Sequence, residues 1–380
     1  MEEKKSRTWA EINLDAIENN VNVIRRALPE STRFLGVVKA DAYGHGAVPV
    51  ARRLEECGAA YLAVACLDEA LSLREAGITL PILILGATDA KFAPVMAENA
   101  ITPAVECAEK GRALNAALRE GQRLRIHIKL DTGMGRIGFI AGDDASLAEA
   151  AEVVRLPKLD AEGIFTHFAV SDMPGGEEYT RAQYEKFTHA ADEIERMSGV
   201  RFALRHCGNS GCVVSYRQYA EDMVRPGLLT YGYFPGSETG GLALRPAMTL
   251  RSRVAAVTHH KKGDAISYGG LWVADRDCTL AVLPIGYADG LHRCLSGKLE
   301  VLLHAQRVKQ VGRICMDVCM LDVTDLENVQ PGDVATVFGS DGENVLPVEE
   351  IAEKAGTISY EICCALSPRV PRIYDASSEN

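Results

Sequence analysis

Residues 34–66, FLGVVKADAYGHGAVPVARRLEECGAAYLAVAC, decide the fold. An apolar, β-branched run over Phe34–Ala40 leads into an amphipathic stretch, Ala47–Cys57, that stops at Gly58 and is followed by a second apolar run, Tyr61–Cys66. Short runs apolar on both faces mark strands of a covered parallel sheet, and glycine just past an amphipathic stretch marks a helix end. The unit is therefore strand, helix, parallel strand. The same rhythm continues outward through Ile82–Leu85, Thr102–Val105, Arg125–Leu130, Ala161–His167, Arg201–His206 and Asp222–Pro226, with helices predicted at Asp68–Ala76 and Thr180–Met197. Eight such repeats predict an α/β chain whose N-terminal part is a (β/α)8 TIM barrel. A doubly wound open sheet would carry a glycine-rich nucleotide turn after its first strand, and GVVKADAYGHG is not one. From Leu242 onward short β-branched runs replace the long helices, which predicts a mainly β domain. The expected boundaries are 1–242 for the barrel and 243–380 for the β domain, with the polar end Ala376–Asn380 frayed.

The 380 residues are 47% hydrophobic and 24% charged, the composition of a globular chain long enough for two cores. A net charge of -11 argues against a polyanion-binding face, so nucleic acid is not an expected partner, although a local basic pocket is compatible with it. The opening MEEKKSRTWAEINLDAI lacks a secretory signal's apolar core, and runs such as Tyr61–Leu67 and Pro81–Ala87 are too short to span a bilayer. A soluble, cytoplasmic protein without membrane contact is expected. Eleven cysteines with no CxxC pair suit a reducing compartment, and the adjacent His259 and His260 form no zinc spacing, so no metal is expected.

In a TIM barrel the chemistry collects at the C-terminal strand ends. Those ends here carry Lys39 with Tyr43 four residues on, Lys129 running into DTGMGRIG with Arg136, His167, the segment HCGNSG, and Arg225-Pro226-Gly227. A lysine closing an apolar strand is desolvated toward a nucleophilic amine suited to a Schiff base; alone, a snorkelling rim lysine is the commoner case. The loops after strands seven and eight, where such barrels often hold phosphate, read Asn209-Ser210-Gly211 and Gly227-Leu228. An amine at one end and a phosphate cradle at the other fit pyridoxal phosphate. Arg225 either binds phosphate or a rim carboxylate, or faces the pyridine nitrogen, to which a guanidinium can only donate.

The segments VVKADAYGHG (37–46), KLDTGMGRIG (129–138), THFA (166–169), HCGNSG (206–211), RPGLLTYG (225–232), SYGGLW (267–272), PIGYADG (284–290), GRICMDV (312–318) and SYEI (359–362) stand in the order and spacing of one family. From Trp9 to Tyr374 the chain resembles the alanine racemases. The resemblance implies a fold-type III pyridoxal-phosphate enzyme, a head-to-tail homodimer with shared active sites, in which roughly the first 14 residues pair with the β domain. It implies that Lys39 carries the cofactor, that Tyr43, Ser210, Gly227, Leu228 and Tyr360 hold its phosphate beside Asn209, and that Arg225 meets the pyridine nitrogen. Tyr268 of the SYG motif, contributed by the second subunit, is implied as the second base, since inverting a carbon needs a proton carrier on each face. A phenol is a weak base at neutral pH unless cations favour its ionised form, and His167 and Arg225 are implied to do so.

The same resemblance assigns the substrate carboxylate to Arg136 and the Met316 backbone, supported by Cys315 and Asp317. It makes Lys129 a candidate for carbamylation, which would turn a cation repelling Arg136 into an anion orienting it; a Lys129–Asp131 rim pair is the plainer alternative. Tyr287 and Tyr360 resemble an inner gate, and Asp172, Arg293, Arg313 and Ile358 an outer access layer. The bulk of Tyr360 points to alanine as the amino-acid substrate. The alternatives are a racemase for serine or several amino acids, and, more remotely, a non-enzymatic pyridoxal-phosphate carrier, a barrel decarboxylase or a cofactor-free aldolase.

Overall fold

The computed structural model describes Lys5 and residues 7–374, so the expected fraying of Ala376–Asn380 lies outside the described residues. The chain forms two compact units: one comprises Ala16–Ala42 and Ala47–Arg245, the other the described residues up to Asp15, Tyr43–Gly46, and those from Pro246 on.

The first unit is an N-terminal barrel of parallel strands. Met223–Val224 pairs with Arg33–Val37, and pairing proceeds through Tyr61–Val64, Ile82–Ile84, Ile101–Val105, Leu124–Asp131 and Leu159–Phe165 to Leu204–His206. Between the last strand and the first no ladder forms. Single bonds bridge that seam: Asp222 N donates to Arg205 O at 3.1 Å and Arg225 N to Gly208 O at 2.8 Å. The barrel is thus nearly closed. Its strands read as apolar runs because both faces are covered; Leu62, Leu83, Ile126, Ile128 and Ile164 are completely buried. Amphipathic helices such as Ala47–Glu56, Asp144–Val154 and Glu177–Ser198 form between strands, the last stopping at Gly199 with φ 74°.

One local expectation is corrected. The first strand does not reach Ala40; it ends at Val37, and residues Ala40, Asp41, Ala42 and Tyr43 all take positive φ of 52–54°. This left-handed turn directly follows Lys39. Each non-glycine residue there costs roughly 1–2 kcal/mol. Side chains hold it: Glu69 accepts from Ala40 N at 2.7 Å and from Ala65 N at 2.7 Å, while Asp41 accepts from Ala47 N at 2.7 Å.

The second unit is mainly β. Its large sheet runs Ala256–His260, Cys278–Leu283, Cys319–Asp322, Gln306–Val311, Glu300–Leu303, Val334–Asp341, Met248–Arg253, Thr8–Ile12 and Arg372–Tyr374. Thr8–Ile12 pairs antiparallel with Met248–Arg253 and parallel with Arg372–Tyr374. A separate small hairpin, Ala265–Ile266 with Trp272–Val273, carries Tyr268 at its corner. Among the described residues no helix is long and apolar enough to cross a membrane, and no cluster of metal-ligating side chains occurs.

Candidate active site

The barrel unit gathers Lys39, Lys129, Arg136, His167 and Arg225 at the C-terminal ends of its strands. The His167 imidazole is held well below the usual histidine range, first by burial and then by the charges of Arg225, Arg136, Lys129 and Lys39. Lys129 is 2% exposed; burial, then the repulsion of Arg225, brings its ammonium down to about 7. Its Nζ donates to Leu130 O at 2.5 Å. Asp131 is occupied otherwise, accepting from the backbone N of Gly133 at 2.9 Å, Gly135 at 3.1 Å and Arg136 at 3.0 Å. Burial works to raise the Asp131 carboxyl, but these three amides together with the charge of Lys129 outweigh it and hold it below the usual range. The DTGMGR loop is wound around Asp131 in this way, and exposed Arg136 is presented at its end.

Arg225 is 4% exposed and spends its donors on Thr166 O at 2.7 Å, His206 O at 3.0 Å and His206 Nδ1 at 2.9 Å, with His167 Nδ1 and Cys207 O at 3.4 Å. Burial draws it down to about 10. The guanidinium and the Lys129 ammonium each lie 5.4 Å from the Phe165 ring centroid. Beside them Asn209 caps the Ser210–Ser215 helix by accepting from Cys212 N at 3.0 Å, and Ser171 Oγ fixes it from behind at 2.8 Å. Ser210 Oγ accepts from Leu229 N at 3.5 Å, which ties the loops after the seventh and eighth strands together, with Gly227 and Leu228 buried beside it. Asp172 is exposed on the loop beyond His167.

In the β unit, Tyr43 and Tyr360 come together with ring centroids 5.6 Å apart. Burial, then Tyr360, raises the Tyr43 phenol above its ordinary range. Tyr268 is 71% exposed. Ser267 before it has φ 67° and ψ -177°, a region that side chains rarely enter, and its Oγ donates to Arg313 O at 2.9 Å. Tyr287 and Met316 sit on two turns stitched by backbone: Tyr287 N donates to Cys315 O at 3.1 Å and Ala288 N to Met316 O at 3.0 Å. Gly286 makes this approach possible, since a Cβ there would lie 2.3 Å from Met316 O. Arg293 and Ile358 are exposed on the same unit.

Two groups of supporting residues were not anticipated from sequence. Asp289, completely buried, clamps the Tyr287 turn: Arg7 binds it at 2.7 and 2.8 Å, Gly286 N at 2.9 Å, and Arg369 reaches from it to Asp317 at 2.8 Å. His127 and His206, also completely buried, lie behind Arg225. The available signal was His127 and Lys129 alternating with apolar residues in RIHIKLD, which marks polar groups facing a barrel interior.

Residues 12–235 match the alanine racemase N-terminal domain and residues 247–374 the alanine racemase C-terminal domain. The alanine racemase of Desulforamulus reducens is 44% identical over 97% of this chain and 99% of its own, and that of Methanococcus maripaludis is 43% identical over 96% and 98%. Among solved structures, the alanine racemase of Clostridium difficile superposes with a TM-score of 0.92 at 39% identity, covering 97% of this chain and 95% of its own. That of Bacillus anthracis, solved with bound L-Ala-P, reaches 0.92 at 38% identity with the same coverage. The strand order of the barrel, the mostly β second unit and the full-length matches agree, and the chain belongs to the alanine racemase family.

Proposed function

We propose that this chain is a pyridoxal-phosphate-dependent alanine racemase, an isomerase that interconverts L- and D-alanine. The observation that carries the reading is the basin of Lys39, Lys129, Arg136 and Arg225 around a neutral His167, in a protein whose net charge is -11. Such a basin suits a phosphorylated aldehyde and a substrate carboxylate. The residues fit the cofactor: Lys39 supplies the amine, Ser210, Gly227, Leu228, Tyr43 and Tyr360 the phosphate site beside Asn209, and Arg225 a donor-only partner for the pyridine nitrogen. Bound there, pyridoxal phosphate would draw electrons from the substrate α-carbon and acidify its proton.

The protein's own part is to hold the amino acid and carry protons. Arg136 and the Met316 backbone bind the carboxylate, with Cys315 and Asp317 in support. Lys39 Nζ and Tyr268 Oη work on opposite faces of the substrate: the unprotonated one takes the α-proton and the protonated one returns a proton from the other side, with the roles exchanged for the reverse direction. With its ammonium brought down to about 7, much of Lys129 is the neutral amine at pH 7 and a nucleophile for carbon dioxide; carbamylation would exchange a cation repelled by Arg225 and Arg136 for an anion that attracts both. Tyr287 and Tyr360 narrow the site to a methyl side chain, and Asp172, Arg293, Arg313 and Ile358 line its access.

Tyr268 belongs to the β unit and is 71% exposed, with Leu271, Val273, Met316 and Ile358 all above half exposed nearby in sequence or on the same unit. Such a face supports a head-to-tail homodimer in which Tyr268 serves the site of a second copy. The setting proposed is the cytoplasm, where D-alanine supplies peptidoglycan precursors.

Three preparations test the reading: Lys39→Ala, Tyr268→Ala and their mixture. Lys39→Ala loses visible cofactor absorption and activity; Tyr268→Ala keeps the absorption but loses exchange of the L-alanine α-proton. After unfolding and refolding together, half the dimers are mixed and each holds one intact site, so about a quarter of wild-type activity returns. Racemisation by either variant alone, or an inactive mixture, overturns it. Chiral chromatography on alanine, serine, lysine and arginine fixes the substrate; faster turnover of serine would replace alanine.

A further inference from the structure

Arg225 is a buried guanidinium whose described partners are all neutral: three carbonyl oxygens and two imidazole nitrogens. A buried charge normally needs a counter-charge. Guanidinium has no acceptor, so the His206 Nδ1 that it meets at 2.9 Å must be the bare nitrogen and His206 must carry its hydrogen on Nε2. His206 Nε2 lies 2.8 Å from His127 Nδ1, which must therefore accept, leaving the His127 hydrogen on Nε2. That nitrogen points to Glu162 Oε2 at 3.4 Å. One direction of donation satisfies every link. We propose that Glu162, through His127 and His206, is the counter-charge and positioning residue for Arg225, joined to it by a one-way hydrogen-bond column through the barrel interior.

The packing builds this column. His206 stacks flat on Phe165, with centroids 4.9 Å apart and planes 5° from parallel, and His127 meets His206 edge-on at 5.0 Å. The pairing of strands Leu124–Asp131 and Leu159–Phe165 shifts register between Ile126 and His127. Gly163 is required beneath: a Cβ there would fall 2.7–2.8 Å from the His127 ring. Both imidazoles are completely buried, and burial, aided by Arg225, keeps them below the ordinary histidine range and hence neutral. At the far end Tyr61 Oη donates to Glu162, and Arg125 Nε stands 3.6 Å from it with its side chain half exposed. Burial would raise the Glu162 carboxyl, but the bonds from His127 and Tyr61 and the charge of Arg125 lower it overall, so it stays ionised.

A carboxylate behind an imidazole makes the other ring nitrogen a better acceptor and fixes its tautomer. Repeated twice, this carries the influence of Glu162 to Arg225 without a charged histidine. The consequence for the cofactor rests on the role proposed above for Arg225; the column itself does not.

Imidazole 15N–1H correlation spectra of the wild-type protein, with and without pyridoxal phosphate, are expected to show His127 and His206 as neutral Nε2–H tautomers from pH 5.5 to 9. Glu162→Gln retains an oxygen that can accept from His127 but removes the charge. It should move the His127 Nε2 proton upfield, shift the visible cofactor band, and lower kcat roughly ten- to a hundred-fold with KM for alanine nearly unchanged. Nδ1–H or charged imidazoles in the wild type, or a Glu162→Gln protein with wild-type kcat and an unmoved band, overturns the proposal. If that variant fails to fold, the wild-type tautomers still decide it. A wild type with the expected tautomers but no racemisation would sink the function proposed above and leave the column standing.

Discussion

At the scale of single residues, environment changes what a side chain is. Lys129 has the composition of an ordinary rim cation, yet 2% exposure and the neighbouring Arg225 bring its ammonium to about 7. The folded protein therefore gives up a proton that the unfolded chain keeps up to about pH 10.4. The cost is full below about 7 and vanishes as pH rises through that window, so stability climbs with pH there. In buffer free of carbon dioxide, Lys129→Met should stabilise the protein at pH 6.5 by on the order of 4 kcal/mol and by almost nothing at pH 10.5. Denaturant midpoints at the two values check it; equal gains at both would show that the amine is not desolvated. Arg225 shows the same principle from the other side: its position beside a strand end was visible in the sequence, but whether it faced phosphate or ring nitrogen was not, because that depends on which carbonyls and imidazoles surround it.

At the scale of elements, strain sits beside the chemistry. The run of positive φ over Ala40–Tyr43 follows Lys39, and Ser267 at φ 67° precedes Tyr268. Apolar patterning extended the first strand to Ala40, since alanine is compatible with a strand and nothing in VVKADAYG reports a left-handed turn; the turn is held by Glu69, which takes the Ala40 amide, and by Asp41, whose carboxylate takes the Ala47 amide at the start of the next helix. Exchange of alanine for glycine inside a right-handed helix destabilises by about 1 kcal/mol. Ala40→Gly, at φ 52° and exposed, should reverse that sign and raise stability by about 0.5–1 kcal/mol, read as a higher thermal midpoint. A lower midpoint would mean that the turn is not strained at Ala40.

At the scale of the molecule, the barrel encloses a polar column where apolar layers are usual. His127 and His206 are kept neutral by burial, so below about pH 6.5 the unfolded chain binds protons that the folded one refuses. Stability must then fall as pH falls, by up to about 2.7 kcal/mol per pH unit for the two together. Equilibrium unfolding between pH 6.5 and 5.5, above the range where most carboxylates titrate, is expected to show this slope. A flat profile would mean that the rings are protonated in the folded state or reach water.

The order of strands, the change from helix-linked to β-branched runs, and the residue types at the strand ends were all legible in the sequence, because a parallel sheet covered on both faces has to be written as repeated apolar runs. Which polar groups those runs hide was not. His127 lies one pleat from Lys129 within RIHIKLD, and Glu162 reads as an ordinary strand acid in sequence, while Asp289 reads as a turn residue after Tyr287. Their partners stand far along the chain: His206 for His127, Tyr61 for Glu162, and Arg7 and Arg369 for Asp289. Local pattern reports which residues share a face. Only the closing of the barrel and the sheet brings distant donors and acceptors within hydrogen-bond reach and strips them of water, and that desolvation sets their charge, tautomer and direction.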